Sequence, residues 1–91
     1  MDIDATPAAA MRLRVRLRSE GVTGMPGIRV RPGHGGGASM FELVIEDRAE
    51  PADRTTDARG IRFYLDPVTA ERVGGATLDL EGDTFILRLA Q

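Results

Sequence analysis

"GIRFYLDPVTAERVGGATLDL", Gly60 to Leu80, changes its hydrophobic period twice within twenty-one residues. Ile61, Phe63 and Leu65 alternate with Arg62 and Tyr64, the period-two pattern of a strand with one inner face. Asp66 then supplies a side chain that can cap a helix, and Pro67 occupies the first helical position, where a missing N–H costs nothing. Gly74-Gly75 follow the last helical residue. The stretch therefore predicts a strand, a two-turn helix near 67–73 that buries Val68 or Ala70 together with Val73, and a second strand over Ala76–Leu80. Tyr64 is expected on the outward face, covering a second helix or a subunit interface.

Working outward, Thr84–Leu89 alternates again, and Glu81-Gly82-Asp83 is a turn-forming triplet suited to a hairpin. Upstream, Asp47–Gly60, "DRAEPADRTTDARG", is polar and turn-rich and reads as a connection with two or three strand residues around Arg54–Thr56. Met40–Glu46 reads as a strand with Phe41, Leu43 and Ile45 inward, and Gly27–Arg31 as another, ended by Pro32-Gly33. Between them, "PGHGGGAS" holds four glycines in its eight residues and must be a loop.

"MRLRVRLR", Met11 to Arg18, is the ambiguous segment. Its strict alternation fits a strand over Met11–Leu17, with four arginines lining one face. Thr6-Pro7 followed by three alanines instead makes a capped helix start, and Gly21 a stop, so the prediction is a helix from about Thr6 to Ser19. On a helix, Met11 and Val15 fall opposite Leu13 and Leu17, and two apolar flanks need two neighbours. The arginines then split into pairs with their heads in water. The predicted order of elements is that of an α+β domain, mostly antiparallel or mixed sheet, with an N-terminal helix and one short helix.

Composition bounds function. Ninety-one residues, 42% of them hydrophobic, build one small domain over 1–91. There is no cysteine, which excludes disulfides, thiolate catalysis and thiolate metal sites. No apolar run could span a bilayer and no signal-peptide order opens the chain, so a cytoplasmic location is the expectation. Residues 1–31 carry six arginines against three acids, a local charge of +3, and residues 32–91 carry six against eleven, or −5. A dedicated nucleic-acid binder is usually net basic, whereas this chain is −2, so nucleic acid is not the expected partner.

Candidate sites are few. Successive N–H groups of a glycine-rich loop can cradle an anion, which makes Arg29, Arg31, His34, Gly35, Gly36 and Gly37 the candidate anion or partner contacts. The loop lacks the lysine and hydroxyl of a phosphate-binding loop and leads into a strand rather than a helix. His34, the only histidine, has no identifiable orienting carboxylate. Glu42, Glu46, Asp66, Asp79, Glu81 and Asp83 show no metal-ligand spacing, and no nucleophile and base can be paired, so neither an enzyme nor a metal site is expected.

The segments "TPAAA", "GIRVRPG", "FELVIED" and "GIRFYLDPVTAERVGGATLDL", in that order, resemble the HesB-like (A-type) iron–sulfur cluster assembly domain over roughly residues 3–89. Its most specific part is Ile61–Leu80, including the Gly-x-Thr-hydrophobic-Asp step Gly75-Ala76-Thr77-Leu78-Asp79. The resemblance implies a HesB-like β-sandwich. It also locates the departures: Gly36 stands near the family's first cluster cysteine, and its Cys-Gly-Cys has no counterpart before Gln91. Carboxylates and one histidine substitute poorly for soft thiolate ligation. The expectation is a cysteine-free, non-catalytic variant that acts through a protein partner or as a homodimer, accessory to iron–sulfur or metal metabolism, without cofactor or membrane. The alternative is an RNA- or anion-binding module using the N-terminal arginines and the glycine-rich loop.

Overall fold

A computed structural model describes residues 3–21, 26–33 and 41–89. The elements run β1 (Asp4–Ala5), α1 (Pro7–Ser19), β2 (Gly27–Pro32), β3 (Phe41–Glu46), β4 (Arg54–Ala58), β5 (Ile61–Leu65), α2 (Pro67–Val73), β6 (Thr77–Glu81) and β7 (Thr84–Arg88). They form two sheets, one ordered β3-β2-β5-β4 and the other β1-β6-β7. The β2–β5 and β1–β6 pairs are parallel and the other three antiparallel, the mixed α+β architecture that the sequence predicts.

The ambiguous arginine-rich segment is helical. Thr6 caps α1, its hydroxyl oxygen accepting from the Ala9 N–H at 3.2 Å, and Gly21 follows the last turn at φ +60°, a backbone region open to glycine. Alternation loses to the caps and the alanine run because helix ends are satisfied locally, whereas a strand would need a partner along its whole length. Ala9, Ala10 and Leu13 are buried and Leu17 packs against the core. The opposite flank stays in solvent, with Met11 64% and Val15 53% exposed.

One core draws on both sheets and both helices: Ile28, Val30, Ile61, Phe63 and Leu65 from the larger sheet, Ala5, Leu78 and Leu87 from the smaller, Leu13 from α1 and Val73 from α2. Asp66 caps α2 by accepting from Thr69 N at 2.8 Å, as expected. Thr69, Ala70 and Val73 are the buried residues of α2, and Val68 faces water.

Two elements exceed the sequence reading. β1 is too short to show a period, and its pairing is carried by Asp4 N–H to Ala76 C=O at 2.8 Å and Thr6 N–H to Leu78 C=O at 2.9 Å. β4 extends to Ala58 because Thr56 and Ala58 turn inward beside β5, while the polar Thr55 and Asp57 face water. The hairpin to β5 turns on Arg59 at φ +49° and Gly60 at φ +81°, positive at both central positions as in a type I′ turn. Arginine is an unusual occupant there, and it is held from both sides: Arg14 Nη2 donates to the Arg59 carbonyl at 2.7 Å, and Arg59 Nε donates to the Ala5 carbonyl at 2.8 Å.

Candidate functional site

Behind the larger sheet, on the side away from the core, Arg29 of β2 is buried among carboxylates. Its Nε donates to Glu46 Oε1 at 2.7 Å and its Nη1 to Asp53 Oδ1 at 3.0 Å, while Nη2 pairs with Asp53 Oδ2. The Asp53 side chain is 2% exposed and also accepts from the Glu50 N–H at 2.7 Å, so the connection after β3 folds back over the sheet. The hydrogen-bonded guanidinium holds the Asp53 carboxyl below its ordinary range, against the opposing effect of burial. The same two carboxylates raise the Arg29 pKa further above its usual value.

Tyr64 lies beside Arg29 in the parallel register of β2 and β5. The expectation that it points away from Ile61 and Phe63 is right, but its assignment as an outward contact is corrected: Tyr64 is 2% exposed. Its ring covers Gly27, where a Cβ would sit 2.7 Å from Tyr64 Cε2. The aromatic therefore closes its own subunit's second layer instead of offering a surface to another. The sequence signal for this layer was Gly27 itself, a residue without a side chain in a strand whose neighbours are large.

Of the candidate anion contacts, Arg29 and Arg31 lie among the described residues, and both are engaged by carboxylates. Arg29 is neutralised internally, and Arg31 Nε donates to Glu42 Oε2 at 2.8 Å on the surface. His34, Gly35, Gly36 and Gly37 lie outside the described residues. Of the N-terminal arginines, Arg12 pairs with Asp83 at 3.1 Å and Arg14 holds the Arg59 carbonyl, while Arg16 and Arg18 have no ion-pair partner among the described residues. The row of four guanidinium groups expected of a strand does not form. Among the described residues no group of three His, Asp or Glu converges as a metal site, and the whole chain holds no cysteine.

Among the described residues, two surface features stay open, a flank along β3 and a groove beside α2. All six residues of β3 are half-buried, and it is an edge strand, bonded among the described residues only to β2. Phe41 and Leu43 meet Val30, Leu78, Phe85 and Leu87 in a narrow apolar cleft between the sheets. On the other side of Leu43, an open depression of about 320 Å³ is bounded by Leu43, Val44 and Ile45 and by Arg16 and Glu20 of the helix end. A separate groove of about 330 Å³ lies between α2 and β4, with Ile3, Leu65, Ala70 and Val73 beneath Arg54 and Thr56. No described helix is long and apolar enough to cross a membrane.

No family model matches the chain. The iron–sulfur cluster insertion protein ErpA of Alkalilimnicola ehrlichii is 32% identical over 60 residues, which are 59% of this chain and 49% of that protein. The chain thus spans about half the length of the first curated relatives it matches. The crystal structure of Escherichia coli SufA, involved in biosynthesis of iron–sulfur clusters, superposes with a TM-score of 0.75 at 22% identity, over 100% of this chain and 86% of that one. The crystal structure of IscA with a 2Fe–2S cluster superposes with a TM-score of 0.66 at 24% identity, over 98% and 84%.

Proposed function

We propose that this chain, related in sequence and in fold to the HesB-like (A-type) iron–sulfur cluster assembly proteins, is one domain over residues 1–91 that works through protein contacts instead of holding a cluster. The observation that carries the reading is the donor set. Iron–sulfur clusters are held by thiolates, and the chain has none. The carboxylates of the buried layer behind β2 are committed to Arg29, so they are not free to ligate a soft metal centre. The scaffold of the family is present without its ligands, and a fold without its site does not carry the site's chemistry.

The role this leaves is accessory and non-catalytic, with a protein partner or a second copy as the binding target, in iron–sulfur or metal metabolism. The half-buried flank along β3 supports it, being apolar at its centre and charged at its rim, the composition of a contact surface. Anaerobic reconstitution of the full chain with ferrous iron and sulfide tests the reading. The expected result after desalting is no stoichiometric iron or sulfide and no charge-transfer absorbance. A cluster retained at one per chain or one per pair of chains overturns it.

A further inference from the structure

We propose that the groove between α2 and β4 binds a small aliphatic carboxylate, with Arg54 holding the carboxylate and Ile3, Leu65, Ala70 and Val73 covering the tail. Arg54, Thr56 and Ala58 pair with Leu65, Phe63 and Ile61 along β5, and alternate residues of a strand share a face. Five of these six are buried, which makes this the core face of the sheet. The sixth, Arg54, is an exposed arginine on that face, and it lines the groove of about 330 Å³ beside the end of α2.

Arg54 has no hydrogen-bond or ion-pair partner among the described residues. The acids on either side of it in sequence are taken: Asp53 by Arg29 on the opposite face, and Asp57 by Arg62 at 3.2 Å. Arg29 and Arg54 thus stand on the two faces of one sheet, the first answered by two carboxylates of its own chain and the second by none of the described acids. A guanidinium presents parallel N–H donors at the spacing of two carboxylate oxygens, so the ligand group that Arg54 fits is a carboxylate.

The floor of the groove selects what the carboxylate is attached to. Ile3, Leu65, Ala70 and Val73 are buried in the core yet line the groove, and a hydrocarbon chain laid on them leaves water. An inorganic anion gains nothing from such a floor. Val73 and Gly74 border the groove at the C-terminal end of α2, an end of partial negative charge that opposes a second charge on the ligand. One cation, an apolar floor and a helix C-terminus together select a monoanion with a tail over a phosphate. At about 30 Å³ per water-sized group the groove accepts roughly ten non-hydrogen atoms, an acid of about six to eight carbons. That size lies at the lower end of small-molecule sites.

The site is apart from the β3 flank and stands whether or not the chain works through protein contacts. Titration of the full chain with sodium hexanoate at fixed ionic strength, followed by proton–nitrogen correlation NMR, should give saturable shifts at residues 54–56, 65 and 70–74. Acetate lacks the tail and hexanol the charge, and each should bind at least about tenfold more weakly. Arg54→Gln should weaken hexanoate about tenfold and leave hexanol unchanged, while Arg54→Glu should exchange hexanoate for hexylammonium. Thermal melting confirms that both variants are folded, and the ligand series on the wild type is a test that needs neither. Absence of saturable shifts at the groove overturns the proposal, as does equal affinity for hexanoate and hexanol or for hexanoate and acetate. So does an Arg54→Gln variant that keeps its hexanoate affinity but self-associates, which would make Arg54 an inward charge guarding the β4 edge.

Discussion

Arg29 and Asp53 lie on separate segments, twenty-four residues apart, and meet behind the larger sheet with two guanidinium nitrogens on two carboxylate oxygens. Their pairing fastens the connection after β3 to the strand beside it. Both groups are removed from water, so the pair matters less for the stability it adds than for the cost of separating it. Asp53→Asn is expected to destabilise the fold by about 3 kcal/mol in urea titration, since Glu46 alone then answers a buried cation. A loss within 0.5 kcal/mol would mean that the guanidinium finds water when its partner is removed.

The same pair sets an acid limit. The Asp53 carboxyl titrates below its ordinary 3.8 in the folded chain. Its contribution is complete above the unfolded value and is lost as pH falls through the folded one. Stability of the wild type should therefore decline below about pH 4, and the difference between wild type and Asp53→Asn should shrink over that window. A difference constant from pH 6 to pH 2 would contradict the assignment.

Gly27→Ala places a Cβ 2.7 Å from Tyr64 Cε2 and 3.0 Å from the Arg62 carbonyl oxygen. The ring and the backbone must both yield, at a cost of about 1–3 kcal/mol. Adding Tyr64→Leu should recover part of that loss, a coupling that a double-mutant cycle reads directly.

Thr6 serves two partners, accepting from Ala9 N–H and donating to Asp79 Oδ1 at 3.1 Å. Thr6→Ala should cost about 1–2 kcal/mol, and Thr6→Ser should keep most of it. Equal losses for the two variants would show that the methyl group, not the hydroxyl, secures the start of α1.

Arg59→Asn tests the tight turn between β4 and β5. Asparagine accepts a positive φ more readily, a gain of the order of 1 kcal/mol, but it gives up the hydrogen bond to the Ala5 carbonyl, worth about as much. The expected net change is within about 1 kcal/mol. Arg59→Ala loses the bond without relieving the backbone and should be the less stable of the two in thermal melts.

The sequence revealed the local features because their physics is local. A threonine or aspartate followed by proline starts a helix wherever it stands, and both helix starts appear where Thr6-Pro7 and Asp66-Pro67 require them. The cap even outweighed the period-two arginines of Met11–Arg18. Alternation placed Phe41, Leu43 and Ile45 on the core side, and the run Ile61–Leu80 carried the family pattern. The missing thiolates needed no structure to be seen.

The second layer was hidden because it depends on distance in space. Arg29 looked available for an anion, and Tyr64 looked available for a partner, as any residue on the polar side of a strand does. Nothing in a period-two pattern says that a later loop will fold over that face and bring Asp53 to the guanidinium. Two-residue β1 has no period to read, and its place beside β6 is fixed only once Ala76 and Leu78 offer their carbonyls. By itself the sequence determined where helices and strands begin, which sides turn inward, and that thiolate chemistry is absent. Tertiary structure alone decided which charges are paired and buried. Long-range pairing and desolvation belong to the packed chain and not to any one segment of it.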